Sequence, residues 1–236
     1  RPPGAAKPGL AISASEGLAG WLGELGGAIG FTTYQTCRLF TLGVGEDGAR
    51  LSLFERVFDQ AMGLYAEGDT LHLATKYQIW RLENILLPGE KTAKGYDAQY
   101  VPRMGYTTGN IDSHDLVVDG RGRLLVVSTM YSCIAEVGGR WGATPLWKPP
   151  FVTELAPEDR CHMNGLALRD GEPAFVTVCG RSDSREAWRE NRAGGGCVVD
   201  VASGEIVGSG LTMPHSPRWR DGRLWLLNSG TGELGV

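Results

Sequence analysis

The stretch HDLVVDGRGRLLVVST, residues 114–129, decides the fold of this chain because it contains a complete hairpin. A short apolar run at residues 116–118 leads into a turn built on Asp119 and Gly120, and a second apolar run follows at residues 124–127. Asp and Gly adopt the backbone angles of tight turns at little cost, and apolar runs on both sides of such a turn are typical of paired strands. The stretch therefore predicts two antiparallel strands joined by a tight turn.

Three further stretches repeat this hairpin pattern, at a spacing of about fifty residues. They are residues 62–75, 164–177 and 215–228. One or two additional strand-like pieces follow each hairpin, for example residues 78–82 and 197–201. Repeats of this length with four strands in each copy are typical of β-propellers, in which every repeat forms one blade. We therefore predict an all-β protein with the β-propeller fold.

The number of blades follows from counting these copies. A weaker copy precedes them at residues 31–43 and 50–58, and its turn lacks the Asp-Gly pair. The last copy reaches the end of the chain at Val236 before a full blade is complete. Because a propeller closes on itself, we expect a six-bladed ring that is truncated in this chain at the C-terminus. The missing C-terminal segment of the same chain is then an expected partner.

The N-terminal part of the chain differs from the repeats. Residues 1–9 are rich in Pro, Gly and Ala, which predicts a disordered segment, and residues 10–236 are predicted to form a single β-propeller domain. A Ser-x-x-Glu pattern at Ser13 and Glu16 precedes a run of Leu, Ala and Trp that extends to Ile29. This pattern predicts one short capped helix before the first blade.

Composition excludes two classes of partner. The formal net charge is -4, with 23 basic and 27 acidic residues, and no basic stripe is present to neutralise phosphates. No run approaches the roughly 18 apolar residues that a membrane-spanning helix needs. We therefore expect neither nucleic acid nor a membrane as a partner.

The cysteines indicate a reducing compartment. Their number, five, is odd, and no C-x-x-C pair occurs among Cys37, Cys133, Cys161, Cys179 and Cys197. Four of them lie in apolar, strand-like contexts, where a free cysteine packs as a small hydrophobe. We therefore predict a cytoplasmic protein.

A candidate metal site follows from aligning the repeats on their turn glycines. Asn164 and His215 then occupy the same position at the start of an inner strand, and His114 lies within one residue of it. His162 lies two residues before Asn164 and faces the same side. Imidazole is a common ligand of Zn, Fe, Mn and Cu, so these four residues are predicted to bind a divalent transition metal. Alternatively, each histidine caps its strand by a hydrogen bond to neighbouring backbone.

Two aspartates beside this level are candidates for catalysis. Asp112 and Asp115 lie in the polar run at residues 110–115, just before and within an inner strand. Burial in the channel would tune their pKa values for general acid or base catalysis. An ordinary capped turn with hydrogen bonds from Asn and Asp side chains is the alternative interpretation of this run.

Candidate substrate-binding residues come from a loop and from one strand end. Residues 181–192 form the one long polar insertion between strands, and long loops on a rigid scaffold often bind ligands. Arg185 and Arg189 are predicted to meet an anionic substrate, although a solvated charged face explains the same residues. Asn228, at the end of the last hairpin, is a third candidate.

Two resemblances to known families add to these inferences. Residues 164–168, NGLAL, are similar to the inner-strand motif of the gluconolactonase and regucalcin group of six-bladed propellers. In that group the Asn of the motif is a ligand of the catalytic divalent metal, so the resemblance implies this role for Asn164. This chain departs from the group by placing histidines where the group has Glu, Asn and Asp.

The second resemblance is more specific and covers nearly all of the chain from about Gly9. Residues 213–219, MPHSPRW, and 221–234, DGRLWLLNSGTGEL, resemble an uncharacterised family of conserved hypothetical bacterial proteins, as do residues 31–35 and 161–166. Members of that family continue beyond the point where this chain stops. The resemblance implies a β-propeller and implies no activity.

Two functional hypotheses follow. The first is a metal-dependent enzyme, a hydrolase or lyase, that acts on a small polar molecule or a peptide in the axial funnel. The second is a non-catalytic propeller platform that binds a peptide, a protein or a carbohydrate, because propellers serve many unrelated functions.

Overall fold

Five antiparallel sheets, arranged as consecutive blades of a β-propeller, make up the fold in a computed structural model that describes residues 13–236. Blade 1 contains β1 (Ile29–Thr33), β2 (Arg38–Val44) and β3 (Leu51–Val57). Blade 2 contains β4 (Leu64–Glu67), β5 (Thr70–Ala74), β6 (Gln78–Asn84) and β7 (Tyr100–Thr107). Blade 3 contains β8 (Ser113–Val118), β9 (Leu124–Ser128), β10 (Cys133–Val137) and β11 (Ala143–Trp147). Blade 4 contains β12 (Met163–Arg169), β13 (Glu172–Val178), β14 (Gly196–Asp200) and β15 (Ile206–Leu211), and blade 5 contains β16 (Pro214–Arg220), β17 (Arg223–Asn228) and β18 (Glu233–Gly235).

The predicted hairpins are confirmed, and the Asp119 turn shows why they form. β8 and β9 pair antiparallel, and one carboxylate oxygen of Asp119 accepts hydrogen bonds from the backbone N–H groups of Arg121 and Arg123 at 3.0 and 2.8 Å. Gly122 adopts a φ of 76°, which a residue without a Cβ reaches without strain. The turn residues therefore fix the register of the two strands.

The first strand of each of blades 2 to 5 lies innermost. β12 packs between β8 and β16, and β4 packs against β8, so these strands line the axis. Fully buried side chains fill the space between blades 3 and 4, among them Val127, Leu166 and Val176. Burial of each such side chain contributes about 1.5–3 kcal/mol relative to exposure. This packing holds the inner strands at a fixed spacing around the axis.

The predicted number of blades is wrong. The described residues form five blades, not six, and the structure gives no support to the predicted truncation. The sixth blade was expected because a propeller closes on itself, although the sequence contains only five copies of the repeat. Each copy forms one sheet, and the weak first copy and the last copy form sheets of three strands instead of four.

Residues 13–236 contain one α-helix, as predicted, but its predicted cap is wrong. α1 (Leu18–Leu25) begins after Gly17, which offers no side-chain cap, and ends at Gly26 with a φ of 62°. No helix within residues 13–236 is both long enough and apolar enough to cross a membrane. The segment at residues 1–9, predicted to be disordered, lies outside the described residues.

Candidate metal centre

Three histidines from three blades meet at the axis. His114 lies in β8, His162 immediately precedes β12, and His215 lies in β16. Their ring centroids are separated by 4.9 Å (His114 to His162), 6.1 Å (His162 to His215) and 6.2 Å (His114 to His215). One nitrogen from each ring lies within 4.8 Å of one nitrogen from each of the others. The structure therefore brings the three predicted histidine ligands together.

A left-handed residue two positions earlier in the chain is common to two of these histidines. The residues two positions before His114 and His215 are Asp112 and Met213, and both have a left-handed backbone, with φ of 50° and 51°. His114 is also the extra residue of a β-bulge between β8 and β9, and a bulge follows His215 in β16. Bulges bend a strand and redirect its side chains, which is why they occur often beside functional sites.

The Nδ1 atom of each of the three rings lies at hydrogen-bond distance from an oxygen atom. His114 Nδ1 lies 3.1 Å from the Asp112 carbonyl oxygen, His215 Nδ1 lies 2.9 Å from the Met213 carbonyl oxygen, and His162 Nδ1 lies 2.9 Å from a carboxylate oxygen of Asp159. Carbonyl and ionised carboxylate oxygens only accept hydrogen bonds, so Nδ1 carries the proton in each ring. The lone pair of each neutral imidazole is therefore on Nε2.

Thr129 supports the same tautomer of His114. Its hydroxyl lies 2.8 Å from His114 Nδ1 and donates its single proton to the carbonyl oxygen of Met163 at 2.6 Å. The hydroxyl oxygen is therefore an acceptor toward the ring. Thr129 is fully buried, and its two contacts link His114 of β8 to the backbone at the start of β12.

Burial favours the neutral, metal-binding form of two rings. Burial lowers the pKa of His114 below its ordinary value, and the nearby Asp112 carboxylate opposes part of this effect. Burial also lowers the pKa of His215. Neutral imidazole is the form that donates a lone pair to a metal.

Asp159 and Trp188 hold His162, and the sequence analysis missed both. Trp188 lies in a 3-10 helix (Ala187–Asn191) within the polar loop, and its ring stacks on His162 with centroids 4.2 Å apart. Its Nε1 donates a hydrogen bond of 2.9 Å to the same Asp159 oxygen that faces His162. Trp188 is the one aromatic residue of the loop, which is the only sequence signal that pointed to it.

The side chain of Asn164 contacts the histidine cluster through the backbone of His162. Its Nδ2 donates to the His162 carbonyl oxygen at 3.1 Å, and its Oδ1 accepts from the Thr177 hydroxyl at 2.7 Å. These bonds fix the peptide that carries His162. The role of Asn164 as a ligand stays a prediction.

The two candidate catalytic aspartates have different surroundings. The Asp112 side chain is partly exposed, and one of its carboxylate oxygens lies 3.8 Å from His114 Nδ1. Asp115 is buried, and Arg218 donates to both of its oxygens at 2.8 and 3.0 Å. The backbone N–H groups of Leu116 and Leu166 donate to the same carboxylate. Four donors thus occupy Asp115, whereas Asp112 remains accessible beside the histidines.

A small polar cleft adjoins Asp112 at the seam of blades 2 and 3. Residues from both blades line it: Gln60, Met62, Thr75, Lys76, Asn110, Asp112 and Ser113. Asp112, whose carboxylate lies 3.8 Å from His114 Nδ1, is thus part of the lining of this cleft.

The three candidate substrate-binding residues have different contacts. The Arg189 guanidinium lies 4.5 Å from the centre of the Trp188 ring and pairs with Glu186, so it is close to the histidines. Arg185 is largely exposed and lies 3.7 Å from Glu158. The amide of Asn228 is engaged by Thr212 and Glu233. Their role in substrate binding stays a prediction for all three.

Comparison with known proteins identifies a family and a fold. The model of a family described as a domain of unknown function (DUF4915) matches residues 16–236, and no curated protein matches the sequence. Selenomethionine-substituted virginiamycin B lyase from Staphylococcus aureus aligns with a TM-score of 0.50 and 13% identity over 89% of this chain and 62% of that one. AztD from Citrobacter koseri aligns with a TM-score of 0.34 and 13% identity, over 89% of this chain and 58% of that chain.

The predicted resemblance to an uncharacterised propeller family is confirmed by these matches. At 13% identity, the likeness to the lyase extends to the fold alone. This chain spans 62% of the length of the lyase and 58% of the length of AztD.

Proposed function

This chain belongs to the family described as a domain of unknown function, DUF4915, and from its histidine cluster we propose a metal-dependent enzyme that acts on a small polar substrate. One observation supports this proposal above the others: in all three clustered histidines, Nδ1 donates a hydrogen bond to an oxygen acceptor. This arrangement leaves three Nε2 lone pairs on rings that surround one point of the axis. The alternative interpretation, in which each histidine only caps its strand, explains the hydrogen bonds of Nδ1. It does not explain why the three rings lie next to one another.

The donor set favours a transition metal. Neutral imidazole suits Zn, Cu and Fe and is also found on Mn, whereas Mg²⁺ and Ca²⁺ prefer oxygen ligands. A bound acceptor for the other ring nitrogen is the arrangement that surrounds metal-binding histidines in general. The three histidines of this chain fit such an ion.

The chemistry that we propose is hydrolysis of a lactone or elimination on a sugar acid. The metal would supply Lewis acidity that polarises an oxygen of the substrate. Asp112 is the proposed acid or base, because it is partly exposed and lies next to His114. Arg189, whose guanidinium lies 4.5 Å from the centre of the Trp188 ring, is the arginine we propose to meet a negative charge on the substrate.

The proposed location is the cytoplasm. All five cysteines are free thiols, four of them buried. Unpaired cysteines are the usual state in a reducing compartment.

Metal content tests the proposal directly. Purified wild-type protein should contain about one equivalent of a transition metal, or take up one on titration. His114→Ala and His215→Ala should lose the metal without loss of folding, and His72→Ala, which alters the histidine outside the cluster, should keep it. Less than a tenth of an equivalent together with no binding on titration would falsify the proposal. That result would favour the non-catalytic platform, whose partner binding would survive the His114 and His215 substitutions.

A further inference from the structure

We propose that Asp159 is a positioning residue of this site, which acts through His162 and, with Trp188, makes His162 the strongest of the three metal ligands. The inference rests on the proposed metal site. It assigns a role to two residues that lie outside the strands of the blades.

The position of Asp159 is fixed from several directions. The residue is 7% exposed, and its backbone N–H donates to the Met130 carbonyl oxygen at 2.9 Å. Asp159 and His162 both have a left-handed backbone, with φ of 48° and 49°. Such angles are costly for residues other than Gly, and they persist where the surroundings enforce them, often at functional sites. The turn between these residues therefore places the carboxylate beside the ring.

Two donors share one oxygen of this carboxylate. His162 Nδ1 and Trp188 Nε1 each lie 2.9 Å from Asp159 Oδ2. Trp188 also covers one face of the His162 ring, with an angle of 29° between the two planes. The hydrogen bond fixes the direction of Nε2, and the stacked indole restricts rotation of the imidazole out of that direction.

His162 differs from the other two histidines in the charge of its acceptor. His114 and His215 face backbone carbonyl oxygens, and His114 also faces a hydroxyl, all of which are neutral. Only His162 faces a carboxylate at hydrogen-bond distance. A hydrogen bond to a carboxylate raises the basicity of the far nitrogen of an imidazole, and loss of such a bond weakens metal binding by about 10–100-fold.

The other oxygen of Asp159 points to the same conclusion. Oδ1 is buried and has no hydrogen-bond donor among the described residues. A buried carboxylate with few donors is costly unless positive charge lies nearby. A dication held by His162 would supply that charge one ring away. The carboxylate is thus suited to a site that is filled by a cation.

A titration with Co²⁺, followed by the d–d absorption of the bound ion, tests the role of Asp159. Asp159→Asn in the full chain should weaken Co²⁺ affinity by about 10–100-fold. Asp183→Asn is the matched control, because Asp183 also secures this loop region, through Thr153 and Arg160, without touching a histidine. It should bind Co²⁺ within about twofold of wild type. Equal affinity of Asp159→Asn and wild type would overturn the inference while leaving the metal site in place.

Two further readouts keep the outcomes separate. Absence of Co²⁺ binding by wild type would contradict the proposed metal site itself, and the inference with it. If Asp159→Asn does not fold, ¹⁵N NMR of histidine-labelled, metal-free wild type decides instead. The His162 ring should carry its proton on Nδ1, with that proton shifted furthest downfield of the three because its acceptor is charged. A proton on Nε2 of His162 would overturn the role of Asp159.

Discussion

Removal of the Asp115 carboxylate should destabilise the junction of blades 3, 4 and 5. Asp115 lies in β8, accepts two hydrogen bonds from Arg218 of β16, and accepts a third from the backbone of Leu166 in β12. Asp115→Ala would leave the Arg218 guanidinium without its carboxylate partner and would remove the acceptor of the Leu116 and Leu166 backbone N–H groups. The side chain of Asp115 is 6% exposed, whereas that of Arg218 is 47% exposed.

These exposures set the size of the effect. Breaking a fully buried ion pair costs about 3–5 kcal/mol, and a buried donor without an acceptor costs about 1–3 kcal/mol. Water reaches the half-exposed Arg218 and reduces its share of the cost. We therefore expect Asp115→Ala to lower the free energy of unfolding by about 3 kcal/mol, the lower end of the buried-pair range. For a domain of this size that change lowers Tm by about 6–12 °C.

Thermal and urea denaturation of metal-free protein would measure this loss. Glu172→Ala is the matched control, because Glu172 also faces an arginine of a neighbouring blade, Arg121, but both side chains are more than half exposed. It should change the free energy of unfolding by less than about 0.5 kcal/mol. In the double variant Asp115→Ala with Arg218→Ala, the cost should be smaller than the sum of the two single costs. A change below about 0.5 kcal/mol for Asp115→Ala would refute this reasoning.

Three further predictions follow from the described contacts. Because burial lowers the pKa of His114 and His215, the native state binds fewer protons than the unfolded state, so the free energy of unfolding should fall as pH drops below about 6.5. Urea titrations of metal-free protein above and below that pH measure the change, and equal stability on both sides would contradict it. Thr129→Val should lower the free energy of unfolding by about 1–3 kcal/mol, measured by urea denaturation, because the Met163 carbonyl loses a buried donor and His114 loses an acceptor; an unchanged midpoint would contradict these two hydrogen bonds. Burial raises the pKa of Cys133, Cys161 and Cys179 to about 12, so a thiol reagent should modify only the partly exposed Cys37 quickly in native protein, and fast labelling of a second cysteine would contradict the described burial.

The sequence predicts the blades because each hairpin carries its own local information. The Asp119 turn sets the register of β8 and β9 by bonds within five residues, and the same pattern recurs in blades 2, 4 and 5. Alignment on these turns therefore placed His114 and His215 correctly at one level. The sixth blade was an inference from closure, and no local pattern supported it.

The residues that complete the site could not be predicted in this way. Asp159, in the connection between β11 and β12, is held beside His162 by a backbone bond to Met130 of blade 3, and Trp188 reaches His162 from the loop between β13 and β14. Neither contact has a period or a turn motif in the sequence. Long-range packing decides their positions, and packing of that kind is visible only in the folded chain.

The most direct test of the central claim is anomalous diffraction from crystals of the wild-type protein grown with Zn²⁺ or Co²⁺, with data collected at the absorption edge of the metal. A peak surrounded by the Nε2 atoms of His114, His162 and His215 is the predicted result. No peak at the axis, or a peak bound only by other residues, would contradict a metal centre at these histidines.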